Sequence, residues 1–187
     1  MIVSVTPMHG PAVIDLELQR DDRGFFARTF CREQFLAAGL EPMVEQCSIA
    51  YNARAGTLRG MHFQVSPAAE AKLVRCTAGA ITDAIVDVRQ GSPTYLRSFI
   101  VELSADNRRA LYVPPLFAHG YQTLADGTEV SYQISRAYTP GTERGLRHDD
   151  PVLGLSWPLP ISAISDKDRS WPLLDQRVPG ESSSGRR

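Results

Sequence analysis

The sequence predicts an all-β fold, a double-stranded antiparallel barrel of the jelly-roll kind with one or two short helices. Turn-forming residues recur at short intervals, for example at residues 21–24 (DDRG), 91–93 (GSP) and 126–127 (DG). The stretches between them are rich in Val, Ile, Thr, Tyr and Phe. Many short strands at this spacing are typical of a sandwich or barrel. Because strands and helices do not alternate along the chain, a parallel α/β sheet is not expected.

Residues 81–89 and 98–103 show the two-residue period of a β-strand. In the first segment one face carries Thr82, Ala84, Val86 and Val88, and the other carries Ile81, Asp83, Ile85, Asp87 and Arg89. Successive side chains of a strand point to opposite faces of its sheet. We therefore expect strands with one apolar and one mixed face.

Helix signals are few. Residues 32–38 (REQFLAA), followed by Gly39, predict a helix with a glycine stop, and residues 163–170 favour a short turn or 3₁₀ segment.

Length and composition favour one soluble domain. The chain has 187 residues, of which 43% are hydrophobic, enough for a single well-buried core. We place the domain at residues 1–178 and expect the polar segment 179–187 (PGESSSGRR) to be a disordered tail.

Charge and cysteine content exclude several classes of function. The net charge of -1 gives no basic field for nucleic acid, and no apolar run reaches the ~20 residues of a membrane span. The three cysteines, Cys31, Cys47 and Cys76, have no CxxC spacing and are expected to be reduced thiols. These features predict a cytoplasmic protein.

Residues 58–64 (LRGMHFQ) carry the first candidate site. In a regular strand Arg59 and His62 would point to opposite faces, whereas a bulge at Gly60 would turn both toward one cavity. A second histidine, His119, follows a proline-stiffened turn in residues 114–121 (PPLFAHGY). Without a metal, two such imidazoles can act as acid, base or orienting groups.

The sequence offers few ligands for a metal site. Barrels of this type that bind metal have two histidines separated by one residue, followed by a glutamate and then a third histidine. Here Gln64 stands at the second histidine position, which leaves His62, His119 and Glu70, and glutamine is a poor ligand for transition metals. We expect no metal and no cofactor, with a metal-dependent oxygenase or isomerase as an alternative.

Further polar residues have both structural and functional interpretations. Tyr132 and Tyr138 have the same parity and are expected on one face of one strand, which also fits core packing. Lys72 shares a face with Glu70, and residues 165–169 (SDKDR) form a charged run; both patterns also fit solvated surface. Lys72 and Lys167 are the only lysines in the chain.

Taken in order, the motifs resemble the dTDP-4-dehydrorhamnose 3,5-epimerase family, whose members epimerise nucleotide-linked 4-keto-6-deoxy sugars on a cupin-type barrel. The resemblance extends from about residue 14 to residue 171. It rests on residues 23–26 (RGFF), 58–64 (LRGMHFQ), 72–76 (KLVRC), 114–121 (PPLFAHGY), 149–151 (DDP), 157–158 (WP) and 165–168 (SDKD), together with Tyr132 and Tyr138.

The resemblance implies four catalytic residues. A ketone at C4 acidifies the hydrogens on C3 and C5, so inversion needs a base on one face and an acid on the other. His62 matches the base and Asp168 the carboxylate that holds its other nitrogen. Tyr132 matches the acid, and Lys72 the cation beside the developing enolate oxygen.

It also implies substrate-binding positions. Arg59 and Arg23 match residues that bind the diphosphate, and His119 matches an imidazole lining the site. Tyr138 and Phe26 match aromatic residues near the nucleotide base. Three positions bear on which nucleotide sugar is bound: Gln46, which the family shares, Arg28, where many members have Glu, and Ser48, where members usually have Asn.

The function implied is inversion at C3, C5 or both in deoxysugar biosynthesis. Family members are dimers in which N-terminal strands pair with the partner's sheet, so we expect a homodimer. Arg23 and Phe26 would act in the site of their own subunit or in that of the partner. The alternatives are a barrel that binds a nucleotide sugar without turnover and a metal-dependent cupin oxygenase or isomerase.

Overall fold

The structure is a computed structural model that describes residues 1–174, and its regular secondary structure is almost entirely antiparallel β-strand. The predicted all-β jelly-roll fold is confirmed, while the predicted tail at 179–187 lies outside the described residues. In chain order the strands are β1 (Ile2–Val5), β2 (Ala12–Asp15), β3 (Gln19–Asp21), β4 (Gly24–Phe26), β5 (Gln46–Asn52), β6 (Leu58–Gln64), β7 (Lys72–Ala78), β8 (Ala80–Asp87), β9 (Ser98–Ser104), β10 (Ala110–Val113), β11 (Phe117–Thr123), β12 (Thr128–Ile134) and β13 (Glu143–Gly145).

Two sheets form the barrel. One has six strands in the order β1-β2-β10-β7-β12-β5, and the other has five in the order β13-β6-β11-β8-β9. Strands β3 and β4 form a separate hairpin. Most neighbours within a sheet are distant in sequence, as in a jelly roll.

The main core lies between the two sheets, where period-2 alternation turns apolar side chains inward. Val74 and Val130 from the six-stranded sheet pack with Ile81, Ile85 and Phe117 from the five-stranded sheet. The predicted alternation in residues 98–103 is confirmed, since Phe99 and Val101 of β9 pack on this core.

The outer face of each sheet is covered separately. Helix α1 (Arg32–Ala37) places Phe35 on the six-stranded sheet against Ile14 and Tyr112. Leu146 and Leu153, from the segment after β12, cover the five-stranded sheet over Ala84 and Val86. Burial on both faces explains why β8 is almost entirely buried rather than half exposed.

The helices differ from the sequence prediction in detail. Helix α1 ends at Ala37, one residue earlier than expected, and Gly39 has the positive φ of +71° that a glycine stop requires. The segment expected to be a turn or 3₁₀ piece contains a short α-helix, α2 (Asp166–Arg169). A 3₁₀ turn at Pro151–Leu153 was not predicted.

Within residues 1–174, no helix has both the length and the apolar content needed to cross a membrane.

Candidate active site

Strand alternation gathers polar side chains at one end of the barrel interior. On β7, Val74 and Cys76 point into the core, so Lys72 two residues earlier lies on the same face. The same parity puts Tyr132 inward beside Val130 on β12.

A bulge in β6 brings Arg59 and His62 to the same cavity. His62 pairs with His119 and Arg59 with Tyr121, so β6 advances three residues while β11 advances two. Gly60 takes φ +114°, and a Cβ there would lie 2.5 Å from the Cα of Gly120. Only glycine fits this position, and of the two alternatives that the sequence left open, a regular strand or a bulge at Gly60, the structure has the bulge.

The His62 imidazole is held by a carboxylate from α2. Asp168 Oδ1 lies 2.6 Å from His62 Nε2, and Asp168 Oδ2 accepts from the Gly60 N–H at 3.1 Å. Burial works to raise the pKa of Asp168, but the interaction with His62 and the hydrogen bonds from Gly60 and Ser165 together outweigh it, so the pKa lies below its usual value of 3.8. An ionised carboxylate only accepts hydrogen bonds, so Nε2 carries the hydrogen and Nδ1 is free to act as a base.

A second histidine and carboxylate pair lies deeper in the barrel. Both carboxylate oxygens of Asp83 on β8 lie 3.0 Å from His119 Nε2. Asp83 is fully buried and His119 is only 6% exposed. Burial raises the pKa of Asp83, although His119 opposes the shift.

Tyr132 stands on the opposite sheet from His62. Burial, and after it the neighbouring Tyr121 and Asp83, raises the pKa of Tyr132 well above its ordinary value of 10.0. Its phenol is therefore protonated at neutral pH and available as a proton donor. The ring of Tyr132 meets that of His119 edge to face, with centroids 6.0 Å apart.

Two cations lie in the same region with different partners. Lys72 Nζ pairs with Glu70 Oε1 at 2.8 Å. The Arg59 Nε donates to Asn52 Oδ1 at 2.8 Å, and within residues 1–174 its guanidinium bonds only neutral oxygens. An arginine without a carboxylate partner can bind an anionic ligand.

Three cavities share His62, and we call them together the active-site crevice. The central cavity, of about 250 Å³, is lined by His62, Lys72, His119 and Tyr132. A cavity of about 190 Å³ adjoins it on the side of Tyr138, and one of about 550 Å³ adjoins it on the side of Asp168. The cavity beside Asp168 alone lies within the range of about 300–1,000 Å³ typical of small-molecule pockets, and the two smaller cavities extend it.

The crevice contains nine of the twelve predicted site residues: Gln46, Ser48, Arg59, His62, Lys72, His119, Tyr132, Tyr138 and Asp168. The other three, Arg23, Phe26 and Arg28, lie on or just after the β3–β4 hairpin and line none of these cavities. Phe26 is 69% exposed, and Arg23 pairs with Asp21.

One prediction about the tyrosines is wrong. Strand β12 ends at Ile134, so Tyr138 does not share a strand face with Tyr132. Tyr138 lies in the following loop and reaches the crevice because its backbone N–H donates to Gln46 Oε1 at 3.1 Å.

Several residues that line the crevice or support its side chains were not assigned from sequence. Arg136 and Glu143 line the cavity beside Tyr138, and Asn52 orients Arg59. Asp83 alone had a usable signal, since it occupies an inward position between Ile81 and Ile85 on a predicted strand.

The metal alternative finds no ligand set in the described chain. Residues 1–174 contain no group of three or more His, Cys, Asp or Glu side chains placed to hold a metal ion. Gln64, at the position of a metal-binding histidine, instead bonds Glu70 and Thr139.

These features define a class: a cupin-type jelly-roll barrel whose crevice joins a histidine–carboxylate pair to a protonated tyrosine. A family profile described as dTDP-4-dehydrorhamnose 3,5-epimerase matches residues 5–176. The chain belongs to this family.

Named relatives and solved structures agree. The dTDP-4-dehydrorhamnose 3,5-epimerase of Sinorhizobium fredii is 43% identical over 155 residues, covering 82% of this chain and 80% of the relative. That of Methanothermobacter thermautotrophicus is 40% identical over 177 residues, covering 92% and 95%.

Among solved structures, the Bacillus anthracis enzyme with TDP and PPi bound has a TM-score of 0.89 at 39% identity, covering 92% of this chain and 99% of the other. ChmJ, a 3'-monoepimerase from Streptomyces bikiniensis in complex with dTDP-quinovose, has a TM-score of 0.84 at 33% identity, covering 92% and 87%.

Proposed function

We propose that this protein epimerises a dTDP-linked 4-keto-6-deoxyhexose at C3, C5 or both, in deoxysugar biosynthesis. The observation that carries the proposal is the pairing of His62 with Asp168 on one wall of a cavity whose facing sheet supplies a protonated Tyr132. Membership of the epimerase family supports the same chemistry.

Each inversion is a proton removal followed by a proton return. His62 Nδ1 takes the hydrogen next to the C4 ketone, and the electrons of the broken C–H bond form an enolate with its charge on the C4 oxygen. Lys72 stabilises that oxygen, and Asp168 stabilises the imidazolium. Tyr132 then gives its proton to the carbon from the other face, and exchange with water restores both residues.

The rest of the substrate needs anion and ring contacts. We assign the diphosphate to Arg59, because its guanidinium bonds only neutral oxygens within the described residues. Tyr138, held by Gln46, supplies an aromatic surface for the nucleotide base, and Ser48 and His119 line the sugar cavity.

The direct test is proton NMR of dTDP-4-keto-6-deoxyglucose incubated with the protein in D₂O. We expect loss of the hydrogen signal at C3, at C5 or at both, as solvent deuterium replaces it. Exchange at both positions indicates a 3,5-epimerase, and exchange at one indicates a single-position enzyme. No exchange at either carbon with folded protein would overturn the proposal.

A Tyr132→Phe variant separates the base from the acid. Because His62 remains, we expect deuterium still to enter at the reacting carbon while inverted product forms at least about 10-fold more slowly. Tyr95→Phe, on a partly exposed loop tyrosine outside the crevice, is the matched control. Equal losses of exchange and inversion would contradict the role of Tyr132.

We also propose a homodimer in which the β3–β4 hairpin of one subunit completes the other subunit's crevice. The hairpin exposes Phe25 and Phe26, and edge strands β1 and β5 expose Val5 and Ile49, which supports burial against a second copy. Arg23, Phe26 and Arg28 would then contact the partner's bound nucleotide.

Mixing two inactive variants tests this arrangement. In a hybrid of His62→Ala and Arg23→Ala subunits, one crevice would hold both native residues if Arg23 acts in the partner's site. We therefore expect co-refolded hybrids to regain activity that neither parent has. If light scattering shows a monomer, or if purified hybrids stay inactive, the shared site is contradicted.

A cytoplasmic location is proposed as well. Cys31, Cys47 and Cys76 are free thiols, as is usual in a reducing compartment.

A further inference from the structure

We propose that Glu70 is a positioning residue for this reaction, holding the Lys72 ammonium in the central cavity while Gln64 holds Glu70. The inference rests on the role proposed above for Lys72. It gives a function to Gln64, which stands where metal-binding barrels have a histidine, and to Glu70, which is a candidate metal ligand in the sequence.

The contacts form a buried chain. Glu70 has 4% of its side chain exposed and Lys72 has 13%. Glu70 Oε1 accepts from Lys72 Nζ at 2.8 Å, and Glu70 Oε2 accepts from Gln64 Nε2 at 2.7 Å. Both carboxylate oxygens are thus engaged, by two different donors.

The direction of every bond in the chain is fixed by a backbone group. The Thr139 N–H, which can only donate, points to Gln64 Oε1 at 2.9 Å. The amide nitrogen of Gln64 must therefore face Glu70, and its second hydrogen goes to the Ala68 carbonyl at 3.2 Å. Facing two donors, Glu70 can act only as an acceptor.

The consequence is that a flexible side chain is held in one place. Lysine carries its charge on a four-carbon stem with several rotatable bonds, and a cation stabilises an enolate only if it stands ready at the oxygen. The chain ends at Thr139, next to Tyr138 on the crevice wall, so the loop carrying Tyr138 and the ammonium of Lys72 are held by the same glutamine.

The experiment compares Glu70→Gln, Lys72→Ala and the double variant by steady-state kinetics. Glutamine has the size of glutamate but only one acceptor oxygen, so it cannot serve both Lys72 and Gln64. We expect Glu70→Gln to lower kcat about 10-fold or more with KM changed less than about 3-fold, and Glu70→Asp to recover part of the loss. Glu102→Gln, at an exposed position on β9, should be unaffected.

The double variant distinguishes positioning from general structural support. If Glu70 acts through Lys72, Glu70→Gln adds no further loss to Lys72→Ala. If the kcat losses of the two single variants multiplied in the double variant, the inference would be overturned. It would also be overturned if Glu70→Gln had a normal kcat while Lys72→Ala was slow. Normal activity in Lys72→Ala would overturn the proposed role of the lysine itself, and this inference with it.

A measurement on the native chain keeps the proposal testable if Glu70 variants do not fold. With only two lysines, ¹³C-lysine labelling gives two ε-methylene signals. We expect two separate Hε shifts for Lys72, as in an immobilised side chain, and one averaged shift for Lys167, whose side chain is 54% exposed and whose pair with Glu143 is therefore a weak surface ion pair. Averaged Hε shifts for Lys72 would overturn the proposal.

Discussion

Two histidine and aspartate pairs lie at the crevice or directly behind it, and their surroundings differ. The side chain of His62 is 32% exposed, and its partner Asp168 comes from a short helix near the end of the described chain. His119 is 6% exposed, and its partner Asp83 is fully buried in the middle of a sheet. The same two side-chain types thus occur once at the crevice wall and once in the interior.

The difference in burial and charge between the two pairs indicates that only the His62–Asp168 pair carries protons. The pKa of Asp168 is lowered, so this carboxylate stays charged and stabilises an imidazolium formed at His62. The pKa of Asp83 is raised by burial, so a charge there is costly and the pair gains little from cycling protons. We infer that His62 exchanges protons and that Asp83 holds the ring of His119 in one orientation.

The largest effect is expected at the exposed pair. His62→Ala removes the base, and we expect kcat to fall well over ~100-fold, within the general range of acid–base catalysis. The measurement is turnover of the keto sugar by NMR, with the exposed His9→Ala as the control variant. Near-normal turnover in His62→Ala would remove His62 from the mechanism.

A smaller loss is expected for Asp168→Asn. The imidazole remains, but its tautomer and its charged form are no longer favoured, so we expect kcat to fall roughly 10- to 1,000-fold. Asp166→Asn, on the exposed side of the same helix, should keep wild-type turnover. A matching loss in both variants would point to helix α2 rather than to the carboxylate.

For Asp83→Asn we expect less than about a 10-fold fall in kcat. Asparagine keeps an oxygen near His119 and removes only a charge that burial disfavours. The rate should be compared directly with that of Asp168→Asn under the same conditions. If Asp83→Asn proved the slower of the two, the assignment of roles to the pairs would have to be reversed.

The two carboxylates should also affect stability with opposite dependence on pH. Asp168, with its pKa below 3.8, stabilises the fold fully above that pH and loses this effect as pH falls through its folded pKa. Asp83, with its pKa above 3.8, costs stability at neutral pH, and the cost disappears as pH falls toward 3.8.

This sign difference can be measured as Tm from pH 3 to pH 7 by circular dichroism. The advantage of wild type over Asp168→Asn should shrink as the solution is acidified. The Tm of wild type should rise relative to that of Asp83→Asn as the pH is lowered over the same range. Parallel curves for the two variants would contradict the difference in environment.

Local sequence periodicity accounts for much of the fold and the inward half of the site. Lys72, His119 and Tyr132 lie on strands whose neighbours at two-residue spacing are apolar and buried, so parity alone places them inside. The bulge at Gly60 was predictable because glycine in a strand indicates a bulge or close approach of another backbone.

Other parts of the site depend on contacts that local patterns do not encode. His62 and Asp168 are 106 residues apart in sequence, and only the resemblance to a family paired them. Tyr138 was placed on a strand because parity says nothing about where a strand ends. The hairpin carrying Arg23 and Phe26 lines none of the three cavities in a single chain, and local sequence patterns do not indicate which site it would complete in the proposed dimer.

The close contact between Gly60 and Gly120 has a consequence for protein engineering. A Cβ at Gly120 would lie 2.6 Å from Met61 Sδ and 2.7 Å from the Arg59 carbonyl, so neither glycine has room for a side chain. Libraries aimed at new sugar substrates should keep both glycines fixed and vary the loop at residues 135–142. Diversity would then reshape the crevice rim while the spacing of the two imidazoles stays constant.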